Sequence, residues 1–248
     1  MNKELYEQIF RRKSYHTFME RSNESITQEE LDDILKAYKN FDSLNGIKTD
    51  IKICKSSETF FLRNEEYRIM IFSEKKDGYL QNVGYLGEQL DLYLFSKNIG
   101  ALWYGIYKSD EVYNDLNYVI TIAIAKVNGY RKDMFKAKRK EISEMWSGDE
   151  LNVANIVRFA PSACNSQPWY VENKGNELHV YRKSKSGKVG IMPKDASIKY
   201  NQIDIGIFMC FLELCLMYEN IKFEKELFKD NETFDQLELN AIYKLSLD

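Results

Sequence analysis

Apolar side chains recur at helical spacing from the start of the chain. Leu5, Ile9 and Phe10 share one face of a helix predicted over about residues 3–12. It delivers Arg11, Arg12 and Lys13 to its partly negative end, where cations sit well. A second helix opens at Thr27, whose hydroxyl caps while Glu30 reaches back, and continues through Leu31, Ile34, Leu35 and Tyr38. Residues 48–54 and 67–73 read as strands, and a long helix spans about residues 79–98. Residues 118–125, rich in β-branched side chains, read as a buried strand.

The second half repeats this order. A helix begins around Glu150 with Leu151, Ala154 and Val157 on one face, matching the helix that begins around Glu30. Strands follow at about 168–172 and 177–183, then a long helix at about 201–219. The segment Val83-Gly84 to Asn98-Ile99 resembles Ile205-Gly206 to Asn220-Ile221 at one offset, 205 minus 83 and 221 minus 99 both giving 122. Two related lobes are therefore expected, residues 1–140 and 141–248. The charged stretch Arg131 to Glu141 connects them.

Composition narrows the class of protein. With 44% hydrophobic and 29% charged residues and only 3 Pro among 248, the chain has the balance of an ordered globular protein. A net charge of −3 argues against a general nucleic-acid binder, which needs a surplus of Lys and Arg. Cys54, Cys164, Cys210 and Cys215 lack metal-ligand spacing and are expected to be reduced thiols. The polar stretch Met1 to Glu7 has no apolar run behind it and so does not read as a secretory signal. The apolar stretch Ile203 to Tyr218 is broken by Asp204 and Glu213 and falls short of the roughly 20 residues a membrane span needs. The expectation is a cytoplasmic protein with no membrane and no nucleic-acid partner.

Candidate chemistry concentrates in the run Phe159-Ala160-Pro161-Ser162-Ala163-Cys164-Asn165-Ser166-Gln167-Pro168-Trp169. Pro161 and Pro168 stiffen this loop, while Ser162, Asn165 and Gln167 offer hydrogen bonds suited to a planar heterocycle. In the N-terminal segment, Arg12, Lys13 and Ser14 combine guanidinium, ammonium and hydroxyl groups suited to a phosphate.

These residues resemble the nitroreductase-like flavoproteins, whose signature A-P-S-x-x-N-x-Q-P-W is present in full from Ala160 to Trp169. Ile9 to Phe18 is similar to that family's arm R-R-x-S-x-R-x-F, with Arg11, Arg12, Lys13 and Ser14 in place and His16 where an Arg or Lys is usual. A histidine there implies a weaker cation and an affinity that depends on pH near neutrality. Asn98 to Gly105 resembles the family's G-L-G-x-x-W-x-G, which implies Tyr104 and Gly105 as flavin contacts and Trp103 as core. Lys136 and Lys138 fall where the family returns a basic pair to the phosphate.

The resemblance implies an α+β nitroreductase-like fold of two similar lobes, each with a small antiparallel-rich sheet and flanking helices. The implied cofactor is flavin mononucleotide (FMN), and the implied contacts from the loop are Pro161, Ser162, Ala163, Asn165 and Gln167. The implied reaction passes reducing equivalents from NAD(P)H to a small acceptor such as a nitroaromatic or quinone, with no protein acid or base. The early turn Phe41 to Gly46 lacks the prolines and the Gln, while the intact loop sits in the second half. That arrangement implies a monomer that forms an internal pseudo-dimer. Two rivals are a flavin-binding or flavin-sensing protein without turnover, and an oxidoreductase acting on one metabolite by dehalogenation or enoyl reduction.

Overall fold

A computed structural model of the chain describes residues 4–19, 21–56, 63–185, 194–231, 233 and 235–246. Lys3, the first residue of the expected N-terminal helix, lies outside them. Helix α1 (Glu4–Arg11) precedes α2 (Gln28–Lys39), which starts with the expected capping box between Thr27 and Glu30. Strands β1 (Thr49–Lys55) and β2 (Tyr67–Ser73) lead to the long helix α3 (Tyr79–Ser96). Next come β3 (Ile99–Trp103), the short β4 (Val112–Tyr113) and β5 (Leu116–Lys126). The connection carries α4 (Ile142–Met145) and β6 (Trp146–Ser147).

Where the sequence predicts a helix from Glu150, the structure has only one turn, α5 (Ala154–Val157). Its few residues are followed closely by Pro161, which prevents the helix from continuing into the loop. Strands β7 (Trp169–Asn173) and β8 (Glu177–Arg182) precede α6 (Lys194–Tyr218), followed by β9 (Lys222–Leu227) and β10 (Glu238–Ser246).

Two sheets result. The first runs β1-β2-β5-β3, with β4 paired to β5, and the second runs β6-β7-β8-β10-β9. Apart from the short parallel pair β6 and β7, every pairing is antiparallel. Within each sheet the two strands before the long helix pair with each other, and the last strand lies inside the one before it. The expected α+β class with antiparallel-rich sheets is what the structure shows.

The two long helices pack against each other at the centre. Along α3 nearly every residue from Leu80 to Phe95 is buried, including Gln81, Asn82, Glu88, Gln89 and Asp91. Helix α6 is 25 residues long, so it does reach the length of a membrane span, and in this fold it is the buried core helix. The polar group Glu213 in it is fully engaged: Tyr85 and Tyr243 hydroxyls donate to it at 2.6 and 2.8 Å, and the Lys225 ammonium at 2.9 Å.

The helices approach so closely because glycines face each other at the crossing. A Cβ added at Gly84 would lie 2.0 Å from the Ile203 carbonyl oxygen, and one added at Gly206 would lie 1.9 Å from the Gln81 carbonyl oxygen. Both contacts are to backbone, which cannot swing aside. Gly206→Ala is expected to push the helices apart and to lower stability by about 1–3 kcal/mol, the cost of forcing one extra methyl group into a filled core. Urea unfolding checks this, and an unchanged midpoint would show that the crossing tolerates a wider spacing.

Candidate functional site

A cavity with about 600 Å³ of empty space, open solvent included, lies where the N-terminal arm, the end of β3, the proline-flanked loop and α6 meet. The arm contributes Ser14 and His16, the loop contributes Pro161, Ser162, Ala163 and Cys164, and Gly105 closes one side. The sequence-predicted residues that meet around this space are thus Ser14, His16, Gly105, Pro161, Ser162 and Ala163. Leu102, Ile120, Ile203 and Ile207 supply apolar wall.

Sheet pairing fixes the arm. Ser14 bridges Ala101 of β3, the Tyr15 N–H donates to the Ala101 carbonyl at 3.2 Å, and the Tyr15 ring is buried against Phe18 and Phe95. Arg12 turns inward instead of toward the cavity. It is only 2% exposed, and its guanidinium lies 2.9 Å from Asp91 and 3.7 Å from Glu88, both on α3. Asp91 also accepts from the Trp103 indole N–H at 3.1 Å, so one carboxylate ties the arm to the cavity wall. Trp103, read from sequence as core, is half-buried and lines the cavity. Burial, followed by the charge of Asp91, pushes the Glu88 carboxyl well above the usual range.

The loop is strained and heavily clamped. Cys164, Asn165 and Gln167 all take positive φ, at 50°, 56° and 48°. Conformations of this kind cost on the order of 1–3 kcal/mol each and persist only where surrounding contacts impose them. The contacts are present. The Ser162 hydroxyl accepts from the Gln167 N–H at 3.0 Å, and Gln167 Oε1 accepts from the Lys140 N–H at 2.8 Å. Asn165 accepts from the Arg139 guanidinium at 2.8 Å and donates to the Lys138 carbonyl at 3.1 Å. Asn165 and Gln167 therefore hold the connecting segment to the loop, and neither lines the cavity.

The remaining expected residues stand further off. Arg11 stacks on Tyr130 and Lys13 on Tyr15. Tyr104 is buried beneath Arg63, and Lys136 and Lys138 are exposed. None of these five lines the cavity.

Four groups that the sequence reading did not single out matter here. Arg139, next in sequence to Lys138, has its guanidinium pulled down to about 10 by burial and then by the charges of Arg12 and Arg131. Arg131 is lowered in the same way, by burial and by Arg12. Tyr200 of α6 lines the cavity and donates its hydroxyl to the Gly105 carbonyl. Asp204, also on α6, lines the cavity and is 2% exposed. A charged residue type breaking an apolar helix was the one trace of it in the sequence. Among the described residues no group of His, Cys, Asp and Glu is arranged to hold a metal ion.

Comparison with known proteins places this geometry. The solved structure of a "putative nitroreductase" from Thermotoga maritima MSB8 is similar over 99% of this chain and 93% of its own, at 23% identity and a TM-score of 0.63, which establishes a shared fold. More distant likenesses are a nitroreductase family protein from Clostridium difficile 630, at 11% identity over 61% of this chain and 100% of its own with a TM-score of 0.47, and an FMN-dependent nitroreductase from Clostridium difficile R20291, at 18% identity over 58% and 94% with a TM-score of 0.38. No curated protein sequence matches the chain. The family described as "Putative TM nitroreductase" matches residues 4–216, and the chain, carrying that family's sequence pattern on a nitroreductase fold, belongs to it.

Proposed function

We propose that the cavity binds one FMN and that the protein uses it to pass reducing equivalents from NAD(P)H to a small acceptor such as a nitroaromatic or a quinone. The observation that carries this reading is the meeting of the arm, at Ser14 and His16, with the loop, at Pro161 to Cys164, across one cavity. Those two segments are the ones that resemble the family's flavin-binding motifs, and they come from opposite halves of the chain.

The charge distribution fits a phosphate. The charge of Arg12 acts on Arg131 and Arg139 and that of Arg131 acts on Arg139, and Arg12 Nε and Arg139 Nε are buried without a hydrogen-bond partner. A dianion placed among them would relieve the repulsion and supply acceptors for the orphaned donors. Arg12 itself is committed to Asp91, so Arg131 and Arg139, which do not line the cavity itself, are the groups we assign to the phosphate. FMN, when bound, supplies the hydride chemistry. The chain's own contribution is positioning: Tyr200 fixes Gly105 through its carbonyl, the loop is held rigid by its clamps, and the apolar wall of Leu102, Ile120, Ile203 and Ile207 excludes water.

We further read the chain as an internal pseudo-dimer with one working seam. Support comes from the shared strand order of the two sheets and from the reciprocal glycine contacts, because Gly84 and Gly206, like Gln81 and Ile203, differ by the same 122 positions. The early turn that corresponds to the loop carries neither proline nor Gln. One FMN per monomeric chain is expected, checked by flavin absorbance against protein concentration together with light scattering. A ratio near two, or flavin release in step with dissociation of a dimer, would return the site to an interface between chains.

Arg139→Gln is expected to weaken FMN binding by about 1.5–3 kcal/mol, the scale of a hydrogen bond to a charged group. Titration of flavin fluorescence measures it, and an unchanged Kd would remove Arg139 from the phosphate site. Anaerobic mixing of FMN-loaded protein with NADH and with NADPH is expected to bleach the flavin absorbance with at least one donor. Absence of bleaching with both would leave a flavin-binding protein without turnover.

A further inference from the structure

We propose that Asp204 is a protonated carboxylic acid that docks the Pro161 to Gln167 loop, and that flavin binding in the adjoining cavity requires and reinforces that proton. The inference rests on the reading of the cavity as a flavin site, but its first consequence can be measured without flavin.

Hydrogen counting supports it. Asp204 Oδ1 accepts from the Ala163 N–H at 2.9 Å, and Asp204 Oδ2 lies 3.2 Å from the Ser166 hydroxyl. That hydroxyl also lies 3.0 Å from Asn201 Oδ1. A serine hydroxyl has one hydrogen, so it cannot donate to both oxygens. If Oδ2 carries a proton, the chain is complete: Asp204 donates to Ser166, and Ser166 donates to Asn201. Asn201 Nδ2 donates to the Ser184 hydroxyl at 3.1 Å in this arrangement. With Asp204 ionised, Ser166 would donate to it, and the Asn201 amide would turn over so that Nδ2 donates to Ser166 and the Ser184 hydroxyl donates to Oδ1.

The first half of the molecule gives an independent comparison. Asn82, 122 positions before Asp204, occupies the corresponding place on α3. Its Oδ1 accepts from the Leu44 N–H and the Ser43 hydroxyl, both at 2.9 Å, and its Nδ2 donates to the Ile47 carbonyl at 3.1 Å. A neutral amide therefore holds the early turn to its helix in the way that Asp204 holds the loop to α6. Holding a loop does not require a charge. What an acid adds is an exchangeable proton beside the cavity.

Burial agrees with the geometry. With almost no exposure, the carboxyl is pushed up to about 7, and the hydrogen bonds from Ala163 and Ser166 only partly offset that rise. The titratable and charged groups around it are His16 on the arm, Cys164 on the loop and Tyr200 on its own helix, with Arg139 and Lys140 beyond the loop on the connecting segment. The facing sheet offers only Leu102, Trp103, Gly105 and Ile120. Among the described residues lining the cavity, Asp204 is the one carboxylate. A flavin ring filling the cavity would displace water from its surroundings and disfavour the charged form further, so binding takes up a proton.

The sign follows from linkage. A carboxyl raised in the folded state contributes stability that is complete below its unfolded value and is lost as pH rises toward about 7. Asp204→Asn reproduces the protonated network, with its carbonyl accepting from Ala163 and its amide donating to Ser166. The flavin-free variant is expected to match the wild type near the unfolded carboxyl value of about 4 and to melt at an increasingly higher temperature as pH rises from there to about 7. Parallel melting curves across that range would overturn the proposal whether or not flavin binds. With flavin, wild-type affinity is expected to fall by about tenfold per pH unit above about pH 7 relative to Asp204→Asn, with proton uptake seen by calorimetry in buffers of different ionisation enthalpy. Riboflavin, which has no phosphate to titrate, should show the same difference, and His16→Gln should retain it. Identical pH profiles for wild type and Asp204→Asn would overturn the coupling. Failure of every variant to bind either flavin at any pH would defeat the flavin site itself, while the melting comparison would still decide the protonation of Asp204.

Discussion

The rest of the structure depends on the close crossing of α3 and α6. Helices separated by side chains of ordinary size leave room for each to present its own polar face, but these two meet backbone to backbone at Gly84 and Gly206. Most of each helix surface is then inside, and the polar groups it carries must find partners in the interior. Glu213 finds two tyrosines and a lysine, and Asp91 finds Arg12 and Trp103. Asp204 finds the loop. Both walls of the cavity are therefore positioned from this crossing, because Asp91 reaches the arm and the sheet edge from one helix while Asp204 reaches the loop from the other.

The features legible in the sequence were those written in local chemistry. The capping box at Thr27, the β-branched strand within Leu116 to Lys126 and the proline-flanked loop are each decided by residues a few positions apart, and the family pattern at Ala160 to Trp169 is a run of neighbours. Orientation was not legible. Nothing local says that Arg12 turns inward while Ser14 faces the cavity, since that depends on Asp91 arriving from 79 positions away. The same holds for Asn165 and Gln167, whose polar groups suit a heterocycle but are taken by the connecting segment. The helix expected from Glu150 has a helical pattern, yet only one turn forms before the chain enters the loop. Strand β9 alternates exposed and half-buried positions, and its place beside β10 is fixed by a partner strand rather than by its own sequence.

Strain at the loop has a structural rationale. Three non-glycine departures into positive φ within four residues would relax in a free peptide. Here Arg139, Lys140 and Asp204 hold the turn from two sides, so that Ser162 and Ala163 are presented to the cavity while Asn165 and Gln167 point away from it. A rigid presentation reduces the ordering that a ligand must impose on binding. It also explains why so much polar chemistry is spent behind the cavity rather than in it.

The two halves differ most informatively where their helices hold their loops. Asn82 and Asp204 are nearly the same size and make the same backbone contact, to Leu44 and to Ala163, at the same distance of 2.9 Å. On packing grounds the amide is the better choice in both places, because a buried amide carries no charge at any pH and a buried carboxyl opposes the fold whenever it ionises. The amide stands in the half whose turn lacks the prolines, and the acid stands beside the cavity. A residue that is unfavourable for stability and borders a cavity is where function and folding can pull apart. Asn82 and Asp204 hold their segments alike, and what distinguishes Asp204 is a titratable group beside the cavity.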